Sequence, residues 1–239
     1  MVTMTYDVIS IGAHPDDVEV GSGGVLIKMA DEGRKTGIIY LTAGEMGTGG
    51  DVETRRREAQ DAADNMGADL LKTYDWGDTS LIDDYQKRLA LAEDIRRYRP
   101  KIILCPTPII GHGRRQSHAD HVACGEITIN AANLAGLKKI SIPGDPHHVS
   151  RIFFYFLPPG MMPDFVVDIT DQFDRWIEAL KCHKSQFLNP EKSRNYMWTL
   201  ESMGRYFGTM AGVNYAQGFK ADQTLLIQDL FDLAKGGRF

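Results

Sequence analysis

Short apolar runs of β character alternate with helical patterns along the first 136 residues of this chain of 239. Strands are indicated by runs rich in branched and aromatic residues, and helices by apolar positions that recur every three or four residues. The predicted strands are 6–12, 37–42, 69–74 and 101–105, and the predicted helices are 22–33, 52–66, 83–98 and 119–137. Strands that alternate with helices form parallel sheets with helical crossovers, so this order predicts an α/β, Rossmann-like three-layer fold with a mostly parallel sheet.

The pattern is less regular after residue 140, where prolines interrupt it repeatedly. Two more strands are predicted over 151–157 and 165–169, followed by a helix over 170–183, whereas the tail from residue 184 is expected to be irregular. No internal repeat or linker divides the chain, and its length suits one large domain. We therefore expect a single domain over residues 1–239.

Composition excludes several classes of function. The content of 43% hydrophobic and 25% charged residues is typical of a soluble globular protein, and a net charge of −5 gives no electrostatic basis for nucleic-acid binding. No apolar run is long enough to span a membrane and no signal peptide is evident, so a cytoplasmic protein without membrane contact is expected. The three widely spaced cysteines indicate free thiols in a reducing compartment.

Ionisable side chains follow four of the predicted strands. His14, Glu45, Asp78 and His118 each lie just beyond the carboxyl end of a different strand. In open α/β sheets, ligands bind in the crevice outside these strand ends. The sequence therefore predicts a functional site at this edge of the sheet.

Two short motifs supply the residue types of a metal site. The first, Ile-Gly-Ala-His-Pro-Asp-Asp-Val-Glu at 11–19, follows the first strand, and the second, His-Ala-Asp-His at 118–121, comes after the fourth. Catalytic zinc takes His nitrogen and carboxylate oxygen from three protein ligands and keeps one position open. His14, Asp17 and His121 offer such a set, which indicates a mononuclear metal hydrolase.

These motifs together resemble those of the PIG-L/LmbE-like family of zinc-dependent N-deacetylases, nearest the bacillithiol-pathway branch, which acts on N-acetylglucosaminyl malate. Further matching pieces are Thr42-Ala43-Gly44-Glu45, Gly47-Thr48, Arg55 and Tyr98-Arg99-Pro100, and the similarity runs from residue 6 to about residue 136. Two positions depart from the family pattern. Ala119 stands where Pro is usual, and Gly49 replaces an Arg that is common after the Gly-Thr pair, which leaves the substrate open.

The neighbouring residues suggest roles in hydrolysis, and the resemblance implies the same allocation. Asp16 is the expected general base for a metal-activated water. His118 is expected to stabilise the oxyanion and protonate the departing amine, with Asp120 holding its ring in the required tautomer. The resemblance assigns Arg55 to substrate contact.

The expected reaction is removal of the acetyl group from a small N-acetylglucosamine-type sugar conjugate, with one Zn²⁺ per chain. Fe²⁺ or another divalent metal is the alternative cofactor. The resemblance also implies a homo-oligomer, often a hexamer among relatives.

Two other functions fit part of the pattern. His14, Asp16 and His121 also match the two-His, one-carboxylate triad of iron(II) oxygenases, although enzymes with that spacing usually adopt a β-sandwich barrel. A non-catalytic Rossmann-like binding module is the second alternative, but the glycines at 21, 23 and 24 do not complete the G-x-G-x-x-G fingerprint. Those glycines indicate tight packing between strand and helix instead.

Other polar residues are interpreted as structural. Glu19 is expected to fix a loop, Asp75 and Asp78 to form turns, and Glu45 either to support the site or to lie in a loop. Asp16 and Asp17 lie ahead of the predicted helix start near Ser22, too early to cap it directly. Ordinary polar loop positions are expected for His112, His147, His148 and His183.

Overall fold

A computed structural model describes residues 4–109, 118–158, 160–189 and 196–231. His112, interpreted above as a loop residue, lies outside these ranges. The strands are β1 (Val8–Gly12), β2 (Thr36–Tyr40), β3 (Asp69–Thr73), β4 (Ile102–Pro106), β5 (Arg151–Tyr155), β6 (Phe165–Asp168) and β7 (Ala216–Ala221). The helices are α1 (Asp17–Asp31), α2 (Val52–Met66), α3 (Tyr85–Tyr98), α4 (Ala119–Gly136), α5 (Phe173–Cys182), α6 (Lys184–Phe187) and α7 (Tyr196–Ala211).

All of these strands join one sheet in the order β3-β2-β1-β4-β5-β7-β6. Neighbours from β3 to β5 are parallel, while β7 runs antiparallel to both β5 and β6. The predicted α/β fold with a mostly parallel sheet is confirmed, and it is not the sandwich barrel of the oxygenase alternative. The chain moves outward in opposite directions from β1 and β4, and a ligand crevice is expected at such a switch point.

Each face of the sheet carries its own apolar core. Leu91 of α3 and Ile127 of α4 are fully buried on one face. On the other face, Leu26 of α1, Met66 of α2 and Trp176 of α5 are buried at 2% exposure or less. Helices on both faces make the three layers that the sequence predicts.

Helix α1 begins five residues earlier than predicted. Asp17 is its first residue and Asp16 occupies the N-cap position, so the predicted start near Ser22 is wrong, although the Asp16 side chain makes no capping hydrogen bond. The helix is buried on several sides from its first turn. Because of this burial, the sequence of the first turn does not alternate between apolar and polar positions in the way that marks the start of an amphipathic helix. A Cβ at Gly21 would lie 2.1 Å from the Tyr155 ring, which confirms close packing as the reason for that glycine.

The tail is more ordered than the sequence suggests. It contains α6, α7 and β7, so the expectation of an irregular segment from residue 184 is wrong. Strand β7 carries Gln217 and Gly218, which have low β propensity, yet it pairs with two neighbours inside the sheet. The side chain of Gln217 accepts a hydrogen bond from the Val25 amide of α1 at 3.0 Å, so tertiary contacts override local propensity here.

Two smaller expectations concern the thiols and the membrane. All three cysteines are free, and Cys105 and Cys124 are buried. Within the described ranges, no helix combines the length and the apolar character that a membrane crossing requires.

Candidate active site

The polar residues expected at the strand ends do converge. Glu45 Oε1 accepts the backbone N–H of Asp78 at 2.6 Å, and Asp78 Oδ1 lies 3.1 Å from His14 Nε2. The rings of His14 and His118 are 4.9 Å apart between centroids. Asp78 lies in a turn, as expected, which the Ser80 N–H closes onto the Gly77 carbonyl oxygen; it is also buried at 8% exposure and contacts His14, a role that the turn interpretation did not include.

The carboxylate of Asp17 joins the two sequence motifs. Its Oδ2 accepts the backbone N–H of His14 at 2.8 Å and lies 3.4 Å from the Nδ1 atom of the His14 ring. Its Oδ1 lies 3.0 Å from His121 Nε2, on the first turn of α4. The loop after β1 and the start of α4 are thereby held together at the switch point of the sheet.

This donor set fits a divalent cation. His14 and Asp17 are 8% and 5% exposed, and nitrogen atoms of His14, His118 and His121 lie within 4.8 Å of one another. Imidazole nitrogens combined with a carboxylate oxygen are the donors that zinc takes in catalytic sites. A buried cluster of this composition is better explained by a shared cation than by a structural role alone.

The ionisable groups of this cluster shift one another's pKa values. Burial alone would raise the pKa of Asp17, but His121 and His14 hold it well below the usual range. Burial likewise opposes protonation of His14, yet Asp17, Asp120 and Asp78 raise its pKa to about 10. The surroundings of His14 are therefore anionic, as a site for a cation requires.

The carboxylate of Asp120 is directed to His14 and not, as expected, to His118. Its Oδ2 lies 3.0 Å from His14 Nε2 and accepts the Thr79 N–H at 2.7 Å, while its Oδ1 accepts the Leu81 N–H at 3.3 Å. Asp120 lies in the first turn of α4 and is buried at 1% exposure against the loop after β3. This position directs its carboxylate to His14 and away from the His118 ring. The carboxylate thus orients the imidazole of His14.

His118 is the N-cap residue of α4, and its ring is fixed by the backbone. Nδ1 accepts the N–H of Asp120 at 3.3 Å, so the proton of the neutral ring belongs on Nε2. Desolvation, together with the nearby His121 and His14, lowers the pKa of His118. The ring is therefore neutral near pH 7 and presents an N–H donor.

Asp16 occupies a strained backbone position. Its φ of 137° is rare for a residue with a side chain, and such strain concentrates at functional sites. Burial raises the pKa of Asp16 to about 6, with Asp17 adding to the rise and Arg55 opposing it. A carboxyl with a pKa near neutrality can accept and release a proton at physiological pH.

Arg55, which the resemblance assigns to substrate contact, lines the cleft and also holds the protein backbone. Its side chain is buried, and its guanidinium donates to the carbonyl oxygens of Gly44 and Pro15, both at 2.7 Å. Nη2 also lies 3.5 Å from Asp16 Oδ2. Arg55 thus fixes the two loops that carry Asp16 and the Gly44 turn.

A buried polar network under Asp16 was missed by the sequence analysis. Glu19 is fully buried in α1 and does not fix a loop; both of its oxygens lie 2.8 Å from Tyr40 Oη. His183 Nε2 lies 3.2 Å from Glu19 Oε1, and neither side chain is exposed. The interpretation of His183 as an ordinary loop residue is therefore wrong. In the sequence, the one signal for this network was Glu19, an acidic residue within an apolar helical turn.

The site opens into a cleft of about 340 Å³, a size typical of small-molecule sites. Its lining includes His14, Asp17, His118 and His121, together with Asp16, Arg55 and the 46–48 loop. Gln186 and Phe187 of α6 and Tyr196 of α7 line it as well. These three residues belong to the tail, for which the sequence analysis predicted no elements.

Comparison with known proteins agrees with this geometry. The family model for PIG-L, described as GlcNAc-PI de-N-acetylase, matches residues 9–132, which include both motifs. A diacetylchitobiose deacetylase of Thermococcus kodakarensis is 33% identical over 227 residues, covering 89% of this chain and 82% of the relative.

Solved structures share the fold over nearly the whole chain. A conserved protein of Thermus thermophilus superposes with a TM-score of 0.84 at 35% identity, covering 94% of this chain and 98% of its own. N,N′-diacetylchitobiose deacetylase of Pyrococcus horikoshii, bound to an inhibitor, gives 0.82 at 27% identity, with coverage of 97% and 89%. The chain therefore belongs to the PIG-L family of de-N-acetylases, enzymes that hydrolyse the amide bond of an N-acetyl group.

Proposed function

We propose that this protein is a zinc-dependent hydrolase that removes the acetyl group from an N-acetylglucosamine-type sugar conjugate. The observation that carries the proposal is the contact of Asp17 with both His14 and His121, beside the strained Asp16, in an open cleft. The names of the relatives support the N-acetylglucosaminyl part of the substrate.

His14, Asp17 and His121 are the proposed metal ligands, and Asp120 and Asp78 hold the His14 ring in position. The ion would make the attacking water acidic enough to lose a proton near neutral pH. Carboxylates that orient a ligating imidazole also strengthen its basicity.

Asp16 acts as the general base in this proposal. It is separated from the ligand Asp17 by one peptide bond, but its backbone strain turns the two carboxylates to different partners. The raised pKa of Asp16, about 6, suits a group that takes a proton from water and passes it on.

His118 stabilises the oxyanion through the N–H on Nε2, and the proton that Asp16 takes from the water passes to the leaving amine. The backbone contact to Nδ1 places its donor on Nε2, the atom expected to face the substrate carbonyl. Because the ring is neutral near pH 7, it donates a hydrogen bond without adding positive charge to the metal cluster.

A screen for acetate release, combined with elemental analysis, tests this function. The purified protein is expected to hold about one zinc per chain and to release acetate from N-acetylglucosaminyl compounds. Matched variants are His118→Ala, which keeps the metal and loses turnover, and His14→Ala, which loses both. Oxygen consumption without acetate release would favour the iron oxygenase, and a protein without bound metal would favour a binding module.

A further inference from the structure

An aromatic ring packs against the imidazole of His121. The ring of Phe156 lies 4.8 Å from it between centroids, with 31° between the two planes. His121 Nε2 faces the carboxylate of Asp17 at 3.0 Å, and the described part of the chain offers no hydrogen-bond partner to its Nδ1. Ligating histidines usually have a partner on the second nitrogen, as His14 has in Asp120. Among the described residues outside the two motifs, Phe156 alone packs a ring against His121.

The backbone of Phe156, the first residue after β5, is strained. Its φ of 57° lies in the left-handed region, which is unfavourable for a bulky side chain. Other described residues with side chains and a positive φ are Asp16, Thr79 and Arg99. Arg99 caps the end of α3, where this conformation is common. The other two belong to the candidate site, because Asp16 is the proposed base and the Thr79 N–H binds Asp120. The φ of Phe156 fits the same pattern, since strain is concentrated at functional sites.

The left-handed conformation changes the direction of the Phe156 side chain. Successive residues of a strand face opposite sides of the sheet. Along β5, Phe154 packs in the core under α3 and α4, and Tyr155 packs in the core under α1, α2 and α5. Continued alternation would return Phe156 to the first of these cores, yet it packs against the second. The turn thereby redirects the ring, which meets His121 at the edge of the sheet.

Tyr155 holds this turn in place. Its hydroxyl donates to the Ile11 carbonyl oxygen of β1 at 2.6 Å, and its own carbonyl oxygen accepts the Thr107 N–H at 2.8 Å. Its ring meets that of Phe156 edge to face, with 4.8 Å between centroids. The end of β5 is thereby tied to the ends of β1 and β4, the two strands at the switch point.

Phe156 also borders an apolar cavity of about 40 Å³. Leu200, Met203 and Phe207 of α7 are among its other lining residues. A protein interior refills such space only in part when a side chain is truncated. Loss of the Phe156 ring would therefore leave one face of His121 without packing.

From the strained turn and the ring contact, we infer that Phe156 is a positioning residue for the metal ion. Its ring fixes the orientation of the His121 imidazole and so directs Nε2 towards the proposed site shared with His14 and Asp17. The inference rests on the proposed ligation of the metal by His121, and it specifies how this ligand is oriented. The strained backbone of Phe156 is what makes the contact possible.

Zinc affinity, measured by competition with a chelator, tests the role of the ring. Phe156→Ala is expected to bind zinc about tenfold more weakly than the wild type, whereas Phe156→Tyr keeps the ring and should stay within about twofold. Phe207→Ala is the matched control, because it truncates the same kind of side chain at the same cavity, without a ring contact to His121. Wild-type affinity in Phe156→Ala, or an equal loss in Phe207→Ala, would overturn the inference.

His121→Ala distinguishes failure of the inference from failure of the proposed function. This variant is expected to lose zinc, since a three-ligand site loses one of its ligands. Loss of zinc in His121→Ala together with wild-type affinity in Phe156→Ala would refute the positioning role alone. Wild-type zinc affinity in His121→Ala would contradict the metal site of the proposed function.

A pair of truncations separates the backbone strain from the ring contact. Phe156→Gly and Phe156→Ala both remove the ring, but glycine adopts a φ of 57° without strain. In urea unfolding, Phe156→Gly is therefore expected to have an unfolding equilibrium constant about fivefold smaller than that of Phe156→Ala, while both bind zinc equally weakly. Equal stability of the two variants, or zinc affinity restored by glycine, would contradict the inference.

Cobalt(II) bound in place of zinc gives a readout that does not depend on activity. The visible absorption of this ion follows its coordination geometry. At saturating cobalt, Phe156→Ala is expected to shift the absorption bands relative to the wild type, whereas Phe156→Tyr and Phe207→Ala should leave them unchanged. Bands at the wild-type position in Phe156→Ala would count against an orienting contact on His121.

Discussion

The guanidinium of Arg55 lies 3.5 Å from the carboxylate of Asp16, and both side chains are largely shielded from solvent. The same guanidinium holds the Pro15 carbonyl at 2.7 Å, directly beside the strained Asp16 backbone. One side chain on α2 therefore acts on the charge and on the conformation of the proposed base. This relationship gives Arg55 a positioning role.

Replacement of Arg55 tests that role through the pH profile. Arg55 lowers the pKa of Asp16, which burial raises to about 6, so Arg55→Met is expected to raise it further. The acidic limb of kcat/KM should then move to higher pH, with a larger loss of activity at pH 6 than at pH 8 and unchanged metal content. Arg55→Lys keeps the charge and should shift the limb less. A higher KM with an unmoved limb would instead indicate direct substrate contact.

Asp120 is expected to support the metal through His14. Asp120→Asn preserves the volume of the side chain but weakens the acceptor at 3.0 Å from His14 Nε2. Loss of such a partner typically reduces metal affinity by about 10–100-fold. Competition with a chelator measures the zinc affinity, and Asp75→Asn, at an exposed position, is the control. Wild-type affinity in Asp120→Asn would show that this contact does not support a ligand.

The part of the site that follows strand ends was predictable from sequence. His14, Asp78 and His118 meet because parallel strands place their carboxyl ends at one edge, a rule that needs no knowledge of side-chain packing. The partner of Asp120 was not predictable, since a helix start rotates its carboxylate towards Thr79 and His14.

The parts of the fold and of the site that the sequence did not predict depend on contacts between segments that are distant in the chain. His183 and Glu19 are separated by most of the chain, and only the packing of α5 against α1 brings them together. The same holds for Gln217 in β7, whose strand forms despite weak local propensity. Local patterns carry no information about such pairs, and for that reason the elements of the tail and the cleft residues Gln186, Phe187 and Tyr196 were missed.

The buried Glu19–His183 pair is expected to make stability depend on pH. Glu19 raises the pKa of His183 despite burial, which favours the neutral form. A raised folded-state pKa gives a contribution that is complete below the ordinary value of 6.5 and is lost as pH rises through the folded-state pKa. Urea unfolding at pH 6 and pH 9 should therefore show a wild-type advantage over His183→Gln that shrinks at the higher pH.

A second variant at this position measures the cost of an unpaired charge. His183→Ala leaves the Glu19 carboxylate buried without its cationic partner, which typically costs about 3–5 kcal/mol in the free energy of unfolding. His148→Gln, at an exposed histidine, is the control and should change neither the stability nor its pH dependence. A similarly small loss in His183→Ala would show that Tyr40 alone satisfies Glu19.

The assignment of Asp16 as base and Asp17 as ligand is tested most directly by metal content and kcat measured together in Asp16→Asn and Asp17→Asn. The two carboxylates are neighbours, but Asp17 contacts His14 and His121 whereas Asp16 contacts Arg55. Asp16→Asn is expected to keep about one zinc per chain while kcat falls by about 10²–10⁴-fold, and Asp17→Asn is expected to lose zinc. An empty site in Asp16→Asn together with a full one in Asp17→Asn would contradict the account.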